Sequence, residues 1–209
     1  MFPTKIIKQF LWVVCLVLLV SSFMIGKTYA NPFFTSNPID LAQAGSERQI
    51  DPVFRPIVAE LETKTRVPLL LPSLVPQPGF PLYATVNSAT VDAYELTIGD
   101  RENCSGGNYC RFGSISGQKV TPSTPAIEKE YSFMNDPGYR PSKRSEEPMG
   151  WVVLTNGIRG YFVPYVCGAN CDDSKVVWEQ NGYRYLVGLK VGDKKTVVAM
   201  ATSAIASSN

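Results

Sequence analysis

The chain of 209 residues contains no histidine. Histidine is the side chain best suited to proton transfer near neutral pH, and it completes most nucleophilic triads and many metal sites. Its absence excludes Ser-His-Asp and Cys-His catalysis and histidine-containing metal centres. Any catalysis by this chain must rely on carboxylates, lysine, tyrosine or a Ser-Lys pair.

The chain also lacks a strong net charge, with 20 basic and 18 acidic residues. The nearest approach to a basic patch is Arg140, Lys143 and Arg144, which Glu146 and Glu147 follow at once. Nucleic-acid-binding domains carry a basic stripe or patch that contacts phosphates. The composition therefore predicts no nucleic-acid partner.

The first 30 residues have the organisation of an export signal. Lys5 and Lys8 give a positive start, residues 10–25 carry no charge, and Thr28 and Ala30 supply small residues at the −3 and −1 positions. We expect cleavage after Ala30 and a secreted or periplasmic protein. Cleavage removes three lysines, which leaves 17 basic and 18 acidic residues. The alternative is an uncleaved anchor at 10–25, although a spanning helix needs about 20 residues.

Four cysteines follow the signal, and an even number in an exported chain indicates disulfides. Sequence alone leaves three pairings open. We expect two local bonds, because Gly/Asn turns separate Cys104 from Cys110 and Cys167 from Cys171. A four-cysteine zinc site is the alternative.

Residues 31–50 are polar and without a sustained period, which predicts a flexible leader before a single domain at 51–209. Asp51 as N-cap and Pro52 at the first helical position predict a helix, which Pro56 restricts to a later start or kinks. Its apolar face comprises Phe54, Ile57, Val58 and Leu61.

Period-two patterns follow. The apolar run at 68–72, bracketed by prolines, predicts a first or edge strand. Alternation at 82–87 and 94–99 predicts two antiparallel strands joined through Asn87 and Ser88.

Two Asn-Gly pairs lie between apolar runs, at 156–157 and 181–182. This pattern predicts type I′ hairpins, in which both central residues have positive φ. In the second hairpin we expect Trp178 or Val177 to face the core. After Asp193 as a cap, residues 196–207 predict a C-terminal helix whose buried face comprises Val197, Met200, Ala201, Ala204 and Ile205.

Residues 117–149 are rich in Pro, Ser, Thr and charge, which predicts a long mobile loop. Its aromatic and arginine side chains suit binding of a partner, or else the aromatics pack against the sheet. The candidates for partner binding are Tyr131, Phe133, Tyr139 and Arg140.

Carboxylates close in sequence occur at Asp172 and Asp173 and at Asp92 and Glu95. Adjacent acids point to opposite faces of a strand, and acids beside turns are usually solvated caps. We interpret both pairs as structural. The sequence indicates no catalytic residue, metal ligand or cofactor site.

The last predicted hairpin and the helix that follows it resemble a known sequence pattern. The segment from Trp178 to Tyr185, followed by a basic turn and a helix of small residues at 198–205, resembles the C-terminal pattern of exported bacterial domains of unknown function. Segments 156–161 and 167–171 are similar to cyanobacterial members of such families. The resemblance covers about residues 67 to 206, implies a shared fold and brings no catalytic residues.

Together the patterns predict an α+β fold: an antiparallel meander of about six to eight strands, with an N-terminal helix and a C-terminal helix on one face. We expect a non-catalytic extracytoplasmic module that binds a protein or another envelope component. A small histidine-free envelope hydrolase is the alternative. A hydrolase requires acids or a Ser-Lys pair converging in one partly desolvated pocket, whereas a binding module requires a groove or an exposed aromatic patch.

Overall fold

The computed structural model describes residues 49–207. The predicted signal peptide and residues 31–48 of the predicted leader lie outside this range.

The predicted N-terminal helix is confirmed, together with the effect of its second proline. A 3₁₀ turn at Pro52–Phe54 precedes α1 (Arg55–Lys64), because Pro56 fits only within the first turn of an α-helix. Asp51 caps the turn by accepting from the Val53 amide at 3.0 Å.

The described residues form nine strands: β1 (Tyr83–Thr90), β2 (Ala93–Gly99), β3 (Arg111–Lys119), β4 (Lys143–Arg144), β5 (Gly150–Val153), β6 (Arg159–Val163), β7 (Val166–Cys167), β8 (Asp173–Gln180) and β9 (Tyr183–Lys190). Seven of them form an antiparallel sheet in the order β1-β2-β3-β9-β8-β6-β5, and β4 pairs with β7 in a separate ribbon. Two meanders, β1-β2-β3 and β5-β6-β8-β9, join where β3 pairs with β9. The predicted α+β class is confirmed.

Both Asn-Gly hairpins are present, and all four turn residues have positive φ: 56° and 72° at Asn156 and Gly157, and 53° and 80° at Asn181 and Gly182. The first pair turns between β5 and β6, and the second joins β8 to β9 without an intervening residue. Local turn chemistry thus fixes both connections.

The predicted junction between the first two strands is wrong. The turn lies at 91–92, and the β1–β2 register shifts between Val86 and Ser88. The intervening Asn87 donates from Nδ2 to Thr97 Oγ1 at 2.8 Å. A turn-forming residue therefore occupies a β-bulge within a longer strand.

The prediction of a strand at 68–72 is also wrong. Residues 69–72 are buried, and the segment pairs with no strand among the residues that the structure describes. Instead the Leu70 amide donates to Tyr94 Oη at 3.3 Å, and the Leu71 carbonyl accepts from Ser207 Oγ at 2.7 Å. Side chains from the sheet and the C-terminus satisfy backbone groups that a neighbouring strand would otherwise pair.

The predicted C-terminal helix is confirmed as α3 (Lys194–Ala206). Asp193 accepts from the Thr196 amide at 2.9 Å, and every residue of the predicted apolar face is buried. With α1 and the 68–72 segment, α3 covers one face of the sheet, here called the helical face. Trp178 is fully buried there and stacks on Tyr185 with 5.5 Å between ring centroids, as expected for a core position.

The second face is partly covered by residues 120–149, here called the insertion. Residues 117–119 of the predicted loop belong to β3. The insertion contains α2 (Ile127–Glu130) and a 3₁₀ turn at Ser132–Asn135. Its buried side chains Ile127, Tyr131 and Met134 form a second apolar cluster with Tyr161, Val163 and Val177 of the sheet.

Candidate functional site

β1 is an edge strand of the described sheet, in which it pairs with β2 alone. Within residues 49–207, no backbone group pairs with its outer edge. Edge strands are usually protected by charged side chains, proline, a β-bulge, a covering helix or extreme shortness. β1 has eight residues and contains neither a charged residue nor proline, and its bulge at Asn87 leaves the stretch before it in regular pairing with β2, whereas the opposite edge strand β5 has only four residues. The outer edge of β1 therefore offers hydrogen-bonding groups to another chain.

A groove of about 660 Å³ runs along this edge. Residues 82–86 form its floor. Successive side chains of a strand point to opposite faces of the sheet. A groove over one face would therefore be lined by alternate residues, and a groove lined by five consecutive residues must open along the edge of the sheet. The groove ends where the bulge at Asn87 interrupts the strand.

Two walls flank the floor, and we call the whole the β1 groove. The first wall is the N-terminal helix, which presents Pro52, Val53, Pro56, Ile57 and Glu60. The second wall is the loop after β2, which presents Glu102 and Asn103. One wall is mainly apolar, and the other is polar.

The second wall is held in place by a disulfide. Cys104 bonds to Cys110, and both are buried, as the sequence predicts. A Cβ at Gly99 would lie 2.5 Å from Cys104 Cβ, so glycine is needed for the loop to pack on the end of β2. The second predicted bond, between Cys167 and Cys171, is also present. Both pairs are oxidised, which leaves no thiolate for the alternative zinc site.

The two disulfide loops meet at a charged cluster. Arg111, which follows Cys110, contacts Asp173 from Nε at 3.1 Å and Asp172 from Nη2 at 3.3 Å. Ser114 Oγ donates to the other oxygen of Asp173 at 2.6 Å. Burial raises the pKa of the Asp173 carboxyl, although the Ser114 hydrogen bond and the Arg111 charge oppose this.

Acids beside turns are usually solvated, but Asp173 is 3% exposed. Asp172 lines an adjacent polar cavity of about 360 Å³ and has a 53% exposed side chain. The carboxylate of Asp173 is fully engaged by Arg111 and Ser114. The other acidic pair, Asp92 and Glu95, is exposed. Asp173 therefore suits a structural role, in which its ion pair with Arg111 holds the two disulfide loops together.

Another buried arginine anchors the insertion. Arg184 on β9 contacts Glu130 at 2.7 Å and donates to the Pro125 carbonyl at 2.5 Å, while Glu179 on β8 accepts from it at 2.5 Å. Only 5% of the Arg184 side chain is exposed. Sequence reasoning missed this residue, because its partners lie more than 50 positions away in the insertion.

The four predicted partner-binding residues comprise a buried position, Tyr131, a partly buried one, Tyr139, and two exposed ones, Phe133 and Arg140. Tyr131 packs in the second apolar cluster, and Lys175 Nζ lies 5.7 Å from its ring centroid. Phe133 is 52% exposed and contacts Tyr139 edge to face at 5.4 Å. Arg140 is exposed. Partner binding by these residues stays a prediction.

Within the described residues, no group of three or more histidine, cysteine, aspartate or glutamate side chains is placed to hold a metal ion. No helix between residues 49 and 207 is long and apolar enough to cross a bilayer. Comparisons with protein families, curated proteins and solved structures found no match.

Proposed function

We propose that the protein is an extracytoplasmic binding module that takes an extended segment of a partner protein as an additional strand on β1. The observation that carries this proposal is the β1 groove, which follows the edge of an uncharged strand that no backbone group of the described residues pairs with. The two disulfides support an oxidising compartment, as outside the cytoplasm.

The groove favours an extended occupant over a helix. A helix satisfies its own backbone and presents only side chains, whereas an added strand pairs with the free edge of a sheet. The floor at 82–86 accommodates a segment of about five residues, which spans roughly 16 Å at about 3.3 Å per residue. Main-chain hydrogen bonds then supply affinity, and the two unlike walls supply specificity.

The alternative, an envelope hydrolase, has weaker support. Its best candidate acid, Asp173, is bonded through one oxygen to Arg111 and through the other to Ser114. Asp172, which lines the adjacent cavity, also contacts Arg111 and Lys175. These contacts support a structural role, and the groove remains the stronger basis for a function.

Strand addition can be tested with model peptides. The probes have five central residues, alternately valine and threonine, with two serines at each end. One peptide is N-methylated along one edge, which limits self-association to a dimer and leaves the other edge free, and its control is N-methylated along both edges. Calorimetric titration of the full exported chain should show binding of the first peptide only.

A matched pair of variants locates the site. Thr85 lines the groove, and Thr90 lies on the same strand beyond the bulge. We expect Thr85→Trp to abolish binding because the indole fills the groove, and Thr90→Trp to retain it. Equal binding by both variants, or by both peptides, would contradict strand addition on β1.

A further inference from the structure

The walls of the β1 groove carry acidic residues, although its floor is mainly apolar. Among residues 49–207, its charged lining residues are Glu60, on the α1 wall, and Glu102, on the opposite wall, and none of its lining residues in that range is basic. The two carboxylates thus flank the free edge from both sides.

Neighbouring cations do not fully neutralise these acids. Lys64 pairs with Glu60 at 2.6 Å, but both side chains are about half exposed, at 51% and 45%. Exposed pairs of this kind are weak and can exchange partners. Arg101, next to Glu102, is occupied by Asp100 at 2.7 Å and lies 5.5 Å from the Tyr109 ring centroid. Glu102 therefore faces the groove without that arginine as its partner.

The same charges argue against a second copy of this chain as the occupant. Pairing of two β1 edges about a two-fold axis would bring Glu60 and Glu102 of one copy towards the same residues of the other. Like charges brought together at an interface lower affinity. The groove selects a partner of opposite charge.

The walls also define which side chains the occupant should carry. Alternate residues of an added strand point towards α1 and towards the loop after β2. Pro56 and Ile57 form an apolar surface on the first side, whereas Glu102 and Asn103 form a polar surface on the second. An amphipathic strand fits this pair of walls.

Resting on the function proposed above, we propose that the occupant is a cationic extended segment: alternate apolar residues contact α1, and lysine or arginine side chains contact Glu60 and Glu102. A single cation at each acid suffices, because the groove holds only about five residues. The acids add selectivity to an affinity that comes from backbone pairing.

Charge selectivity can be measured with three versions of the valine–threonine peptide with one free edge, ending in two lysines, two serines or two glutamates. In calorimetric titrations of the full exported chain at low ionic strength, the lysine peptide should bind about 10-fold more tightly than the glutamate peptide. The difference should shrink at 1 M salt, where charges are screened beyond about 3 Å.

The double variant Glu60→Gln/Glu102→Gln should reduce this preference to about 2-fold or less, while leaving binding of the serine peptide unchanged. Glu146→Gln is the matched control, because this exposed acid lies in the insertion, and it should retain the full preference. Glutamine keeps the size of the side chain and removes only the charge.

Equal binding of the lysine and glutamate peptides, or a preference that survives the double variant, would overturn the charge assignment and leave strand addition standing if the serine peptide still binds. Failure of all three peptides would overturn both proposals. Concentration-dependent dimerisation that competes with the peptides would assign the edge to a second copy and would also overturn the inference.

Discussion

Arg111 Nε lies 3.1 Å from Asp173 Oδ1, and this ion pair joins the two disulfide loops of the protein. Arg111 follows Cys110 directly, and Asp173 lies two residues after Cys171. Each short disulfide constrains only its own loop. The relative placement of the loops therefore depends on the buried pair. The first loop also forms one wall of the β1 groove.

Asp173→Ala should lower the free energy of unfolding by about 2–4 kcal/mol, because it leaves Arg111 mostly buried without its main partner. Asp172→Ala is the matched control: this acid contacts the same arginine, but its side chain is 53% exposed, and the loss should stay below about 1 kcal/mol. Urea denaturation measures both values. Equal losses of stability in the two variants would contradict a structural role for the buried Arg111–Asp173 ion pair.

The same carboxyl should give the stability a recognisable pH dependence. Burial raises its pKa above the ordinary 3.8, so the folded state binds more protons than the unfolded chain between the two pKa values. The contribution of Asp173 to the free energy of unfolding must therefore fall as the pH rises through that window. Asp173→Asn removes this titration.

The unfolding free energy of the wild type minus that of Asp173→Asn should accordingly decrease as the pH rises from about 3.8 and become constant above the raised pKa. Denaturation curves at a series of pH values give this difference directly. A difference that increases with pH would show that the folded state favours the ionised form.

Arg184→Met should release the insertion while leaving the sheet folded, because it removes the contacts to Glu130 and Pro125 but keeps an apolar stem of similar length. We expect faster proteolysis within residues 120–149. Arg140→Met is the matched control, since Arg140 is an exposed arginine of the insertion itself. Unchanged cleavage in Arg184→Met would show that apolar packing alone holds the insertion.

The hairpin turn between β8 and β9 provides a test of local backbone strain. Gly182 has φ of 80°, which a β-branched residue adopts only with strain. Gly182→Val should destabilise the protein by about 1–3 kcal/mol, and Gly182→Asn by clearly less, because asparagine tolerates positive φ. Thermal unfolding compares the two variants, and equal destabilisation would mean that the turn geometry is not the cause.

Features governed by near neighbours could be predicted from the sequence. Asp193 caps a helix that begins at the next residue, and the Asn-Gly turns act within four residues. The prediction at Asn87 was wrong because the side-chain partner of this residue, Thr97, lies on the neighbouring strand β2, ten positions along the chain. A turn-forming residue can occupy either a turn or a β-bulge, so its presence in the sequence does not distinguish the two.

The β1 groove could not be predicted for a related reason. The sequence predicts a strand near residues 82–87, but whether that strand lies at an edge depends on the order of all seven strands. That order is set by β3 pairing with β9, about 70 residues later in the chain. No local pattern encodes such a pairing, and the same holds for the contacts of Arg184 with the insertion.

Amide hydrogen exchange of the full chain, with and without the lysine-ended peptide, tests the central claim most directly. Strand addition predicts that outward-facing amides within 82–86 exchange more slowly when the peptide is bound, while those of Phe133 and Tyr139, whose rings pack together in the insertion, do not change. Slower exchange in the insertion, with β1 unaffected, would contradict the account and place binding on the insertion instead.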